Sequence, residues 1–514
     1  MRPLALAVVV ALGCGKPATQ HGTTTLVVRV TDTRKAAGAR VLLFDAFGQP
    51  LHLGALDLYG KRQGSAACPL APGVIGSWDG LILAYGSAEI PIGGGGECSI
   101  PYGHYKVWAW RGIEYERFEG EIDLAPGRGK VALDIPLERA WTPHGTLAAD
   151  LHVHAHASND STMPNPQRVV AQVAAGIQVI GLSDHNANGD LDAEITELHL
   201  DDVVASIASN ELTAEKLHVG VYPVTGKAPD ASLVVHATPE EMFALAREMP
   251  GHPVVQLNHP RFRFTALYDG TGWDGVRWPP PFPLAFDAVE VLAGYSAFNI
   301  PGDRRFDASA RDLYTMFDHG HPITPLGNSD THDLNWVLDG TTRNYVYVDD
   351  PRTKPFDEDG FIQAIRDRRV VATSGPWLDV EVAPKQGGAT VGPGQAVEAE
   401  GGAVWVDVTV AQTRWMHVER IAIHVGTKRV QTIDVPAGVR THHWAGRVEV
   451  GTADTFVGIT ADGDTPLPLE LTGSYQRDRW GRPGVTPFAI ASPILVDADG
   501  DHRWKRGDAD IALR

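Results

Sequence analysis

His152 and His154 stand two residues apart in the stretch Asp-Leu-His-Val-His-Ala-His at 150–156, and Asp160 follows the second histidine by six residues. Side chains at i and i+2 of a strand share a face, so both imidazoles can reach one metal ion. Four more polar clusters each close a short apolar run. Ser-Asp-His-Asn at 183–186 follows 179–182, Asn210 and Glu211 follow 203–208, Asn-His-Pro at 258–260 follows 254–257, and Asn-Ser-Asp-Thr-His at 328–332 follows 323–326. Metal-type ligands at the carboxyl ends of successive strands, with helices between, are how a parallel β/α barrel builds an active site. The expected fold class is therefore α/β.

This ordered set resembles the PHP (polymerase and histidinol phosphatase) metallohydrolases. The motifs that carry the likeness are H-x-H at 152–154, D-H-N at 184–186, Glu211, N-H-P at 258–260 and S-D-T-H at 329–332. The spacing from His154 to Asp160 and the Thr-Ser-Gly-Pro-Trp at 373–377 resemble the carbaryl-hydrolase-like branch, and the likeness covers about 148–377. It implies a distorted seven-stranded β/α barrel holding two or three divalent ions. By position, one ion would take His152, His154, Glu211 and Asp330. A second would share Glu211 and add His218 and His259, and a third would take Asp160, His185 and His332. Both His218 and His236 fit the histidine that follows the bridging glutamate; His218 is preferred because 218–223 resembles the family's strand there.

The residue chemistry points the same way. Imidazoles and carboxylates without a thiolate suit Zn, Mn or Fe better than a soft metal or an all-oxygen calcium site. A glutamate shared by two ions leaves room for a bridging water, acidified enough to attack as hydroxide near neutral pH. The expected activity is hydrolysis of an ester, a phosphoester or a carbamate-like ester, with Glu211, Asp184 and Arg261 as the catalytic candidates. Arg261 and Arg343 are guanidinium groups that could clamp a phosphate or carboxylate, or simply form salt bridges. His144, His156 and His236, taken singly, read as ordinary polar residues. The competing expectation is a surface lipoprotein that binds a glycan or a partner, its barrel reduced to a metal-stabilised scaffold. Neither a G-x-S-x-G elbow nor an S-x-x-K motif offers a serine nucleophile.

A length of 514 residues suggests about three domains at roughly 150 residues each. Lys plus Arg number 44 against 63 Asp plus Glu, a net charge of -19, which disfavours a nucleic-acid partner. At the start, Arg2, the apolar run 4–12, Gly13 and Cys14 read as a bacterial lipoprotein signal, cut before a lipidated Cys14, with a plain secretory signal as the alternative. Either implies export, to the periplasm or cell surface. In that compartment Cys68 and Cys98 can form a disulfide, or stay as two buried thiols.

The segment 1–22 is thus signal and linker. Residues 23–140 resemble transthyretin-like or carboxypeptidase-regulatory-like β-domains, with a Gly-rich loop at 54–96. The metallohydrolase unit is 141–377, and 378–514 reads as a C-terminal β-sandwich. The Trp- and Pro-rich stretch 261–286 is expected to shape the pocket as a loop. The Asp-rich turn at 497–501 lacks glycine in the sixth calcium-loop position and has Asp508 in place of the bidentate Glu, so it reads as a plain turn.

Overall fold

The computed structural model describes residues 24–48, 74–78, 81–93, 100–127, 129–262, 265–294, 305–334, 336–473 and 484–513. Cys14, Cys68 and Cys98, and with them the expected lipid anchor and disulfide, lie outside the described residues. Among the described residues, no helix is long and apolar enough to cross a membrane.

The described residues begin with two β-sheets. In one, Thr24–Asp32 pairs antiparallel with Ser87–Ile92 and parallel with Lys130–Leu137. In the other, Gly38–Phe44 lies between Leu81–Tyr85 and Gly103–Trp110. Alternation in Thr24–Asp32 sends Leu26, Val28 and Val30 into one core with Val41, Leu43, Val107 and Ala109 of the second sheet. Leu42, Phe44 and Trp110 leave by the opposite face and pack on the helix Asn165–Ala174. The approach is close. Gly112, at φ +64°, would place a Cβ 2.0 Å from the Ala175 carbonyl oxygen, so only glycine fits there.

The central strands divide between two sheets. Thr146–Val153, buried along its whole length, pairs parallel with Val179–Leu182, which in turn pairs with Ala205–Ala208. Its other edge pairs antiparallel with Arg343–Tyr347, followed by Val370–Thr373. A separate five-stranded sheet runs Asn210–Ala214, Leu217–Tyr222, Val254–Leu257, Ala288–Ala293, Thr324–Asn328.

Neither sheet closes, which overturns the expected seven-stranded barrel. The reason lies at the two seams. Arg343–Tyr347 occupies the edge of Thr146–Val153 that Thr324–Asn328 would need, so that only an isolated parallel bridge, Val153 with Thr331, forms past the strand ends and side chains span the rest. Leu151 N donates to Asn328 Oδ1 at 2.9 Å, and Asn344 Nδ2 donates to Asn328 Oδ1 and to the Gly327 carbonyl, each at 2.8 Å. At the other seam, Gly189 with Ser209 and His185 with Glu211 make only isolated bridges. The sheets still share a core, with Leu147, Leu151, Val179 and Ile207 from one meeting Tyr222, Val254, Ala288 and Leu326 from the other.

The first sheet continues beyond Val370–Thr373 into Phe488–Asp497, Thr455–Asp462, Arg420–Val425 and Lys428–Asp434, and with Ala396–Glu398 beside Phe488–Asp497 it has ten strands among the described residues. A three-stranded sheet of Trp377–Ala383, Ala403–Ala411 and Thr441–Glu449 shares a core with these distal strands through Val380, Val406, Val408, Ile421 and Ile459.

Helix limits follow local chemistry. Pro239–Glu248 starts at a capping box in which Thr238 and Glu241 each bond the other's backbone N–H. Glu358–Arg366 starts at Asp357, which caps it by accepting from Gly360 N at 2.9 Å. Asn165 is the first residue of its helix; its side chain meets His156 Nδ1 at 2.9 Å and Glu194 at 3.1 Å. The 497–501 segment is a turn in which Asp497 accepts from Gly500 N and His502 N. Asp508 is largely exposed, whereas Asp454, which sequence gave no reason to single out, approaches Asp497 and Asp499.

Candidate metal centre

The site forms where the two sheets meet. The strand Thr146–Val153 runs into His152 and His154, both wholly buried, and the 330–331 backbone holds them. Asp330 N donates to the His152 carbonyl at 2.8 Å, and His154 N donates to the Thr331 carbonyl at 3.0 Å. Val179–Leu182 leads to Asp184 and His185. The antiparallel pair Asn210–Ala214 and Leu217–Tyr222 carries Glu211 and His218. His259 follows Val254–Leu257, and Asp330 and His332 follow Thr324–Asn328. Asn186, His259 and Asp330 have φ of +54°, +27° and +53°. Non-glycine residues adopt such values at a cost of about 1–3 kcal/mol each, and this strain collects at functional sites.

Glu211 is the centre of the cluster. His152 Nε2 lies 3.0 Å from its Oε1, His218 Nδ1 3.1 Å and His259 Nε2 3.5 Å. On Oε2, His185 Nδ1 approaches to 2.7 Å and His154 Nε2 to 3.7 Å. Asn258 Nδ2 donates to Oε1 at 2.8 Å, but buried Oε2 has no hydrogen bond, since His185 Nδ1 is directed to Thr213 Oγ1 at 2.7 Å. A buried acceptor left without a donor, and ringed by imidazoles, fits a cation.

The spacings agree. His152 Nε2 and His154 Nε2 are 3.1 Å apart and each is 3.2 Å from Asp330 Oδ1. Two ligands about 2.1 Å from one tetrahedral ion lie roughly 3.4 Å apart, so these donors can share an ion. His154, Asp160, His185 and His332 form a further group, with His185 Nε2 and His332 Nε2 at 3.4 and 3.3 Å from Asp160 Oδ2. The Asp160 side chain is 54% exposed, so this group opens to solvent. His152, His154 and Glu211, then His152, His259 and Asp330, then His185, Glu211 and His218 complete the candidate groups here.

Charge is distributed accordingly in the metal-free chain. Burial raises the Glu211 carboxyl pKa, but His218, His152 and His185 outweigh it and hold the group well below the ordinary range. Burial and the neighbouring His332 and His185 push His154 down, keeping it neutral with a lone pair to give. For His152 burial lowers the pKa, yet Asp330, Glu211 and Glu290 together raise it well above normal. His185 goes up to about 10 against its own burial, driven by Glu211 and Asp160.

Other sequence candidates sit differently. Asp184 is buried and accepts from Ala155 N at 2.6 Å, outside every candidate group. Arg261 is tied to Asp312 at 2.5 and 2.9 Å, to Asp269 at 3.1 Å and to the Trp273 carbonyl. Its guanidinium thus pins the 266–273 insertion, where Leu267–Thr271 is a short helix rather than loop. Arg343 is fully buried and donates to the Gly340 and Ala175 carbonyls. His236 is exposed beside Glu215, 3.4 Å away. Sequence reasoning missed Glu290, a buried carboxylate 2.8 Å from His152 Nδ1. Its signal was a lone charge in the apolar strand Ala288–Ala293.

No protein-family model matches the chain, and no curated protein matches it either. What the site can do follows from its donors, which form clusters able to hold metal ions within an α/β fold.

Proposed function

We propose that this chain is a metal-dependent hydrolase with a PHP-like ligand set, cleaving a phosphoester or a carbamate-like ester. The observation that carries the reading is Glu211, a buried carboxylate with imidazole nitrogens of five histidines at 2.7–3.7 Å. His152, His154, Glu211 and Asp330 would hold one ion, His218 and His259 with Glu211 a second, and Asp160, His185 and His332 a third. When bound, such ions polarise a substrate oxygen and make water acidic enough to attack near neutral pH.

The chain's own residues prepare the donors. Glu290 at 2.8 Å from His152 and Ser158 Oγ at 2.7 Å from His154 each engage Nδ1, which leaves Nε2 facing Glu211 and Asp330, while Thr213 Oγ1 at 2.7 Å orients the His185 ring so that its Nε2 faces Asp160. Exposed Asp160 marks the side from which a substrate reaches them.

Elemental analysis of the purified chain tests the reading. Two or three equivalents of Zn, Mn or Fe are expected, and His154→Ala should lose at least one, because His154 belongs to two candidate groups. A screen with aryl phosphate, phosphodiester and carboxyl-ester substrates then identifies the ester. Turnover that survives exhaustive chelation would overturn the proposal.

We also propose export and lipid anchoring at Cys14, supported by the apolar run 4–12 and the Gly-Cys that closes it. A Cys14→Ser variant should leave the membrane fraction; retention there would show that the thiol anchors nothing.

A further inference from the structure

Glu290 is 1% exposed in the middle of the apolar strand Ala288–Ala293. Such burial of a carboxylate is costly unless donors surround it. Four do. His152 Nδ1 is at 2.8 Å and Asn328 Nδ2 at 2.9 Å from Oε1, Gln256 Nε2 reaches the same oxygen at 3.3 Å, and His259 N donates to Oε2 at 2.7 Å. One carboxylate therefore grips two histidines of the cluster in different ways. It takes the ring N–H of His152, and it holds the backbone of His259 in its left-handed conformation at φ +27°. Asn328, its third strong partner, also accepts from Leu151 N, which fixes the strand that carries His152.

We propose that Glu290 is a positioning residue of the metal centre: by holding His152 Nδ1–H and His259 N–H it sets the tautomer of one imidazole and the aim of the other. The proposal rests on the metal-centre reading above. An acceptor behind a ligating histidine fixes the ring and raises its basicity, and loss of such a partner costs about 10- to 100-fold in metal affinity.

Glu290→Gln keeps the shape, but its NH2 end must face either the His152 or the His259 N–H. Zinc affinity by chelator competition should fall 10- to 100-fold relative to the parent. The visible spectrum of the cobalt-loaded variant should shift as well, a change that loss of packing alone does not produce. A parent that takes up no zinc or cobalt overturns the metal reading itself. A parent that binds while the variant matches it in affinity and spectrum overturns only the role of Glu290. Should the variant not fold, a crystal structure of the zinc-loaded parent decides: ligation by His152 Nε2 with Glu290 on Nδ1 supports the assignment, and ligation by Nδ1 or by Glu290 itself overturns it.

Discussion

Glu211→Gln should cut turnover by on the order of a thousandfold or more on any ester the parent hydrolyses, while leaving the circular dichroism of the chain close to that of the parent. Glu211 has five imidazole nitrogens about it and one oxygen without a hydrogen-bond donor, so its charge is the feature shared by two candidate ion positions. An amide of the same shape keeps the packing and removes the bridging charge. Bound ions contribute several kcal/mol of transition-state stabilisation, and each 1.4 kcal/mol is about tenfold in rate. Metal content should drop in parallel. A variant with parental kcat and full metal occupancy would remove Glu211 from the centre.

Much of this site is legible in the sequence because its donors stand where apolar runs end. His152, His154, His185, His259 and Asp330 could each be found by reading to the end of a hydrophobic segment. Glu290 could not be found that way. It sits inside its strand, and its partners His152, Gln256 and Asn328 come from three other parts of the chain. Arg261 leaves two roles open in the sequence, an anion clamp beside a ligand motif or a salt bridge, and the choice turns on Asp269 and Asp312, carboxylates that sequence spacing does not reveal.

The fold was legible strand by strand and failed at closure. Apolar runs identified most of the central strands, but whether the last pairs with the first depends on long-range partners. Here Arg343–Tyr347 competes for that edge, and Asn328 and Asn344 supply with side chains the bonds that a ladder would make. The antiparallel strand was visible only as a segment following the last motif, with nothing local to say where it would pair. Continuation of the same sheet through Phe488–Asp497 was likewise out of reach, since that pairing spans more than a hundred residues.

Asp339→Asn should destabilise the metal-free chain by about 3–5 kcal/mol in denaturant unfolding, against at most about 1 kcal/mol for the exposed-pair control Asp134→Asn. Asp339 is fully buried between two fully buried arginines from different parts of the chain. Arg168 Nη1 donates to its Oδ1 at 2.5 Å, and Arg40, from the N-terminal strand Gly38–Phe44, lies 3.4 Å from Oδ2 and donates to its carbonyl at 2.9 Å. Burial already lowers the Arg40 pKa to about 10, with Asp339 the main opposing influence. Removing the one charge that lies between both guanidinium groups leaves two cations buried without it, which is why the loss exceeds that of a surface pair such as Arg29 with Asp134, where the side chains are 52% and 68% exposed. The effect should reach the site. Arg168 donates to the His154 carbonyl at 2.8 Å and to the Thr331 carbonyl at 3.2 Å, so a shifted Arg168 moves the backbone that presents His154, Asp330 and His332. Weaker zinc uptake should therefore accompany the loss of stability. A variant that unfolds at the same denaturant concentration as the parent would mean that Arg40 and Arg168 are neutralised by other groups, and that the N-terminal sheets are not tied to the metal centre through this carboxylate.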